Sequence, residues 1–221
     1  MFPLRDENPT SLRPYVTWTL IVLNIAIFSL QITLFLGSSI NLITIFGLIP
    51  KKVIAEGTYY TFFTSMFLHG GLVHIFGNML YLYIFGDNIE DMCGRMNFLI
   101  FYFLCGIAAS LVYLLSASNS TIPVIGASGA ISGVLGGYVT LFPKVRIKTA
   151  IPLFIIVQVI YLPAYVLIGF WFAYQLLFVS MGAQTGVAYW AHIGGFLAGM
   201  ALIKPFARRR HLHPIYAKET Y

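Results

Sequence analysis

Six long apolar runs, separated by more polar connections, dominate the chain and limit what it can fold into. They cover residues 15–36, 66–85, 98–115, 128–142, 162–181 and 187–203. A helix needs about 20 apolar residues to cross a bilayer, and these runs reach or approach that length. Only 9% of the residues are charged, whereas a soluble domain carries roughly 25%. The pattern predicts an all-α protein, a polytopic membrane bundle of six transmembrane helices.

The 13 lysine and arginine residues lie mainly at the ends of these runs. If all six runs cross the membrane, 11 of these residues lie on the side of both termini and 2 lie on the opposite side. Because positively charged loops stay in the cytoplasm, both termini are predicted to be cytoplasmic. The net charge of +6 then reflects membrane topology, and we expect no nucleic acid partner.

Two connections carry apolar residues without reaching the length of a span. Residues 150–160 are bracketed by Pro152 and Pro163, and a seventh span there would move the basic C-terminal cluster to the outside. We therefore interpret this stretch as an interfacial lead-in to the fifth helix. The connection 37–65 is long and rich in aromatic residues, which favour the outer membrane interface.

The predicted organisation is a cytoplasmic tail at 1–14, a six-helix membrane domain at 15–205 and a basic cytoplasmic tail at 206–221. The first apolar run is long and follows basic residues, which is typical of a retained anchor rather than a cleaved signal peptide. The two cysteines, Cys93 and Cys105, are expected to be unpaired structural residues.

Polar side chains within a span are costly, so each one is a candidate functional residue. We expect none of the seven acidic residues to lie within a span, and the HExxH motif of zinc proteases is absent. No metal ion or other cofactor is therefore expected. His74 and Asn78 are four residues apart and share one face of the second helix. The predicted topology puts them at the same depth as Ser128 and His192, in the outer leaflet.

The fourth run is short. Its 15 residues reach about 22 Å as a helix, which is less than the ~30 Å hydrocarbon core. Its first residue, Ser128, is therefore expected below the membrane surface, where irregular backbone is tolerated if it lines a wet cavity.

Glycines recur every four residues in the fourth run and again in the sixth. They are Gly129, Gly133 and Gly137 in the fourth run and Gly195 and Gly199 in the sixth. Small residues at this spacing allow two helix backbones to approach closely. We expect these two helices to touch and to bring Ser128 to His192.

Three short motifs occur in chain order. Residues 69–78 read HGGLVHIFGN, residues 126–129 read GASG, and residues 191–195 read AHIGG. They are similar to the HxxxxHxxxN, GxSG and AHxxG patterns of the rhomboid family of intramembrane serine proteases. The resemblance extends over roughly residues 1–205. Two positions depart from the family pattern: Tyr60-Thr61 stands where members often have Trp-Arg, and Ser132 stands where members often have a tyrosine that stacks on the base.

The resemblance implies a six-helix bundle with a water-filled cavity open to the outside, and substrates that are single-span membrane proteins. Ser128 is then the nucleophile and His192 the general base of a dyad that forms an acyl-enzyme. His74, Asn78 and the backbone N–H of Ser128 are candidate oxyanion donors. The motif-supporting residues are Gly126, Gly129 and His69.

Each of these residues also has a structural alternative. Ser128 can cap a helix, and His74, Asn78 and His192 can join helices by hydrogen bonds. For the whole protein, the alternatives are a rhomboid-like scaffold that binds spans without cutting them and a small-solute channel or transporter. The short tails resemble those of prokaryotic plasma-membrane members, and the oligomeric state stays open. We expect substrates to reach the site laterally, by movement of the fifth helix and the loop 182–186.

Overall fold

Long helices make up most of the computed structural model, which describes residues 1–38, 40–153, 156–183 and 185–207. These helices are α1 (Tyr15–Ser38), α5 (Leu72–Cys93), α6 (Arg95–Ser116), α7 (Ser128–Leu141), α8 (Ala164–Ser180) and α9 (Tyr189–Phe206). The connection between α1 and α5 folds into α2 (Leu42–Phe46), α3 (Pro50–Glu56), α4 (Thr61–Thr64) and a 3₁₀ turn at Ser65–Phe67. Each predicted apolar run therefore corresponds to a helix. The predicted C-terminal tail lies outside the described residues from position 208 onward.

Within the described residues, length and apolar composition identify two helices that are able to cross a bilayer, α1 and α6. Residues Thr61–Phe67 together with α5 form a third candidate, which is bent by 96°. Two further apolar helices, α7 and α8, have 14 and 17 residues. At 1.5 Å per residue α7 is about 21 Å long, so the prediction of a short fourth helix is confirmed.

A three-stranded antiparallel sheet corrects the all-α prediction. Its strands are β1 (Phe2–Asp6), β2 (Arg146–Leu153) and β3 (Ile156–Pro163), in the order β1-β2-β3. Residues 150–160, interpreted above as an interfacial lead-in, belong to the β2–β3 hairpin. The hairpin is rich in β-branched residues, which favour strands. Ile147 and Thr149 are buried on one face of β2. The alternating residues Arg146 and Lys148 are exposed and half-buried, respectively, as the alternation of a strand requires.

The N-terminal segment is held against the end of α5, which extends to Cys93 and therefore beyond the predicted run. As a result Asp87, Glu90 and Asp91 lie in the last turns of this helix rather than in a connection, contrary to expectation. Glu90 is fully buried and accepts hydrogen bonds from the backbone N–H groups of Val16 at 3.0 Å and Thr17 at 2.8 Å. These are free donors at the start of α1, so a carboxylate of α5 caps α1 and fixes the two helices together.

At the centre of the bundle lies α7, which packs against α5, α6, α8 and α9. Its contact with α9 is made by backbone atoms. A Cβ atom on Gly195 would collide with the carbonyl oxygen of Gly129, and one on Gly199 would collide with that of Gly133. The predicted contact between the fourth and sixth helices is thereby confirmed. The two cysteines, Cys93 and Cys105, are both buried.

Replacing Gly199 by alanine tests this contact. The added Cβ meets backbone atoms of Gly133, which cannot move aside unless the helices separate. Overpacking of this kind costs about 1–3 kcal/mol, so we expect Gly199→Ala to lower Tm in detergent by several degrees. Gly169→Ala on α8 is the matched control, because a Cβ there meets no atom within 4 Å. Equal Tm values for the two variants would contradict the close backbone contact.

Asp6 joins the sheet to the bundle and gives a second test. One of its oxygens accepts hydrogen bonds from the hydroxyl of Tyr138 at 2.7 Å and from the Nδ2 of Asn88 at 2.8 Å. Burial raises the pKa of Asp6 from 3.8 to about 6. Because folding raises this pKa, the protonated form of Asp6 stabilises the folded state at low pH. This stabilisation is lost as the pH rises through the folded-state pKa.

Asp6→Asn retains an oxygen that can accept both hydrogen bonds but carries no charge. We therefore expect its Tm to exceed that of the wild type by an amount that grows between pH 4 and 7 and then levels off. The full difference corresponds to about 3 kcal/mol, at 1.36 kcal/mol per pKa unit. Thermal unfolding measured across this pH range checks it, and a difference independent of pH would contradict it.

Candidate active site

Ser128 and His192 meet at the start of two neighbouring helices. Ser128 is the first residue of α7 and His192 is the fourth residue of α9. The Oγ of Ser128 lies 2.9 Å from the Nε2 of His192. The contact between Gly129 and Gly195, described above, lies directly beside this pair. The helix packing that the glycines allow therefore brings the two side chains within hydrogen-bond distance.

Gly126 shapes the backbone that leads into Ser128. Its φ angle is +116°, in the region that favours glycine because a side chain there is strained. A Cβ atom at this position would also come within 2.8 Å of the Nε2 of His74. The N–H of Gly126 donates to the carbonyl oxygen of Ser65 at 2.9 Å. The loop before Ser128 is thus held by a hydrogen bond on one side and has no room for a side chain at Gly126 on the other.

His74 and Asn78 line the same cavity as Ser128 and His192. The Nδ1 of His74 accepts a hydrogen bond from the N–H of Gly70 at 3.2 Å, so in the neutral ring the proton is on Nε2. That nitrogen faces Gly126. The Nδ2 of Asn78 is buried and has no hydrogen-bond acceptor within the described part of the chain. Two side-chain donors therefore point toward the backbone that precedes Ser128.

His69 lies behind His74 and is fully buried. The two rings stand edge to face with centroids 5.1 Å apart. The backbone of His69 is fixed by Gln31 of α1, whose side chain donates to its carbonyl oxygen at 2.7 Å and accepts from its N–H at 3.2 Å. This geometry fits a residue that supports the loop and the neighbouring imidazole.

Two residues of α8 contact His192 and were missed by the sequence analysis. The Oε1 of Gln175 lies 2.9 Å from the Nδ1 of His192, and the ring of Trp171 lies 6.0 Å from the imidazole, centroid to centroid. Ser132, at the position where the family often has tyrosine, donates its hydroxyl to the carbonyl oxygen of Ser128 at 2.6 Å. A signal was available, because Gln175 is an amide within an apolar run and such residues are candidate functional groups.

The cavity around these groups has a volume of about 1330 Å³. Small-molecule sites have roughly 300–1,000 Å³, so this space is large enough for several residues of a peptide. Its walls are formed by the start of α5, the loop before α7, one side of α8 and the segment before α9.

The long connection between α1 and α5 packs against the loop that leads to Ser128. Leu48 forms a β-bridge with Val124. Tyr60, which stands in the place of the family's tryptophan, donates its hydroxyl to the carbonyl oxygen of Ile45 at 3.0 Å. Thr64 donates to the carbonyl oxygen of Phe46 at 2.7 Å. This connection is therefore anchored by hydrogen bonds other than those of a Trp-Arg pair.

Comparison with known proteins gives a family match. Residues 56–209 match the Rhomboid family, described as the Rhomboid domain. Over 200 residues the chain is 36% identical to rhomboid protease GluP of Bacillus subtilis (strain 168), covering 88% of this chain and 36% of GluP. It is 32% identical over 199 residues to rhomboid protease AarA of Providencia stuartii, covering 83% of this chain and 69% of AarA. RHOMBOID-like protein 5 of Arabidopsis thaliana is 31% identical over 172 residues, covering 76% of this chain and 50% of that protein.

The apolar helices and the helical bundle define the class, an integral membrane protein. The chain belongs to the rhomboid family. It spans about half the length of RHOMBOID-like protein 5 and about a third of GluP.

Proposed function

We propose that this chain is an intramembrane serine endopeptidase that hydrolyses peptide bonds in or near the transmembrane segments of single-span membrane proteins. The observation that carries the proposal is the 2.9 Å distance between the Oγ of Ser128 and the Nε2 of His192 within a large cavity. The names of the relatives GluP and AarA, both rhomboid proteases, support the same reaction class.

The reaction starts when His192 takes the proton of the Ser128 hydroxyl while its oxygen attacks the carbonyl carbon of the scissile bond. The tetrahedral intermediate collapses as His192 returns the proton to the leaving amine, and an ester with Ser128 remains. Water, deprotonated by His192, attacks this ester. The second tetrahedral intermediate collapses as His192 returns the proton to the Ser128 oxygen, which releases the new carboxylic acid and restores the dyad. Among the described residues, His192 is hydrogen-bonded to Ser128 and Gln175, neither of which is a carboxylate. This supports a dyad rather than a Ser-His-Asp triad.

The negative oxygen of the tetrahedral intermediate needs preorganised donors. We assign this role to the backbone N–H of Ser128, the Nδ2 of Asn78 and the Nε2–H of His74. Ser128 starts α7, so its N–H has no acceptor within the helix. The Asn78 nitrogen is buried without an acceptor among the described residues. Burying such a donor costs free energy, and the negative oxygen of the intermediate would supply the acceptor.

We further propose that all six long helices cross the membrane, that both termini are cytoplasmic and that the protein resides in a prokaryotic plasma membrane. The distribution of basic residues supports this orientation. The order of elements also supports it, because Ser128 begins α7 and β2 follows the other end of that helix. In this arrangement the sheet is cytoplasmic and the proposed site opens to the outside. Substrates reach the site between α8 and the rest of the bundle.

Cleavage by dyad variants tests the activity. The purified protein is incubated in detergent or vesicles with a model single-span substrate, and the fragments are quantified. We expect Ser128→Ala and His192→Ala each to lower the rate by more than about 10³-fold, since both groups are needed for the same step. Ser180→Ala, an exposed serine at the end of α8, is the matched control and should cleave as the wild type does. If all these proteins cleave alike, the proposed function is wrong.

A separate variant tests the oxyanion assignment. We expect Asn78→Ala to lower kcat by about 10²–10³-fold with little change in KM, because the lost hydrogen bond forms in the transition state. Asn24→Ala removes another buried amide, one whose Nδ2 donates to the carbonyl oxygen of Leu20 within α1. This control should alter stability but leave kcat unchanged. A kcat for Asn78→Ala equal to that of the control would contradict the assignment of Asn78 as an oxyanion donor.

A further inference from the structure

We propose that Gln175 of α8 is a positioning residue that sets the tautomer of His192 and holds its Nε2 toward Ser128. The inference rests on the proposed function, because it gives the role of a third residue in the same site. Its geometric basis is the 2.9 Å contact between the Oε1 of Gln175 and the Nδ1 of His192.

The orientation of the Gln175 amide is fixed by its own helix. Its Nε2 donates a hydrogen bond to the carbonyl oxygen of Trp171, one turn earlier, at 3.1 Å. A carbonyl oxygen can only accept, so the nitrogen of the amide must face Trp171. The oxygen of the amide is then the atom that faces His192.

This orientation determines which imidazole nitrogen carries the proton. The amide oxygen of Gln175 can only accept, so the Nδ1 of His192 must be the donor. A neutral imidazole has one N–H, and the Nε2 of His192 is therefore unprotonated. Its lone pair faces the Ser128 hydroxyl at 2.9 Å, which is the arrangement that a general base requires.

Gln175 is only 3% exposed, so little water reaches it to compete for the Nδ1–H of His192. Trp171 lies beside the imidazole, with its ring inclined by 37° to it. One turn of α8 thus supplies both a hydrogen-bond acceptor and an aromatic neighbour to the base. Ser132 provides neither of these restraints on the imidazole. It has no ring, and its hydroxyl donates to the carbonyl oxygen of Ser128.

An alternative role for Gln175 is structural, since interhelical hydrogen bonds also join membrane helices. The two roles differ in what they do to the imidazole. A structural residue affects the stability of the bundle and leaves the tautomer unchanged. A positioning residue determines the tautomer and hence the fraction of enzyme with a competent base.

Nitrogen-15 NMR of the histidine-labelled full chain in micelles distinguishes the structural role of Gln175 from the positioning role, because protonated and unprotonated ring nitrogens have different chemical shifts. The His192 signals are assigned by their loss in His192→Ala, at a pH where the ring is neutral. We expect the Nδ1–H tautomer alone in the wild type and a mixture of both tautomers in Gln175→Leu and in Gln175→Met, which keeps the unbranched side chain. An unchanged tautomer in a folded variant would overturn the inference.

Kinetics give the second readout. We expect Gln175→Leu to lower kcat about tenfold, equivalent to 1.36 kcal/mol, with KM unchanged. Gln175→Glu keeps an oxygen acceptor at the same position and should recover most of kcat. Leu176→Ala, an exposed neighbour on α8, is the control and should behave as the wild type. A glutamate variant as slow as the leucine variant, or a leucine variant with normal kcat, would overturn the inference.

The two experiments separate this inference from the proposed function. If the wild type cleaves no single-span substrate, the proposed function fails, and the NMR measurement still decides whether Gln175 sets the tautomer. If the wild type cleaves but the tautomer does not depend on Gln175, the inference alone fails.

Discussion

Backbone contact between α7 and α9 is the interaction on which the rest of the site depends. Gly129 follows Ser128, and Gly195 lies one turn beyond His192, so the points where the helices touch adjoin the two reactive groups. Because backbone meets backbone, no flexible side chain lies between the helices at this point. The separation of the serine and the histidine is then set by main-chain geometry, which is the precision that proton transfer between fixed groups needs.

Polar groups in apolar surroundings are stable only when they are hydrogen-bonded, yet a catalytic group must keep one position free. At His74 and Gln175 the chain meets both requirements by using the backbone to fix one end of the side chain. The N–H of Gly70 fixes His74 and leaves its Nε2 as a donor. The carbonyl oxygen of Trp171 fixes Gln175 and leaves its Oε1 as an acceptor. Each ring or amide is thereby oriented before a substrate arrives.

Helices and motif residues could be predicted from the sequence because their signals are local. Apolar run lengths located all six long helices, and the glycine spacing predicted that α7 meets α9. The sheet could not be predicted, since β1 pairs with a strand more than 140 positions away and a short apolar run does not distinguish a strand from a helix. The sequence predicts that the acidic residues near the end of α5 lie in a connection, because charged residues avoid spans. In the structure Glu90 belongs to the helix, where its carboxylate caps α1. Gln175 was missed because the family pattern places the residue that stacks on the base at position 132, on a different helix.

The position of Gln175 on α8 connects the alignment of the base to the packing of this helix. The helix borders the cavity through Trp171 and Phe178, and its other side exposes apolar residues such as Phe170 and Leu177. A displacement of α8 away from α9 lengthens the hydrogen bond between Gln175 and His192. The imidazole is then free to adopt the tautomer that cannot accept the proton of Ser128. If substrates pass beside α8, His192 can accept a proton only after α8 has packed back against the bundle and the bound segment, which restores the hydrogen bond with Gln175. Under the proposed function, such coupling would restrict hydrolysis to segments that stay long enough for closure, which is specificity by induced fit.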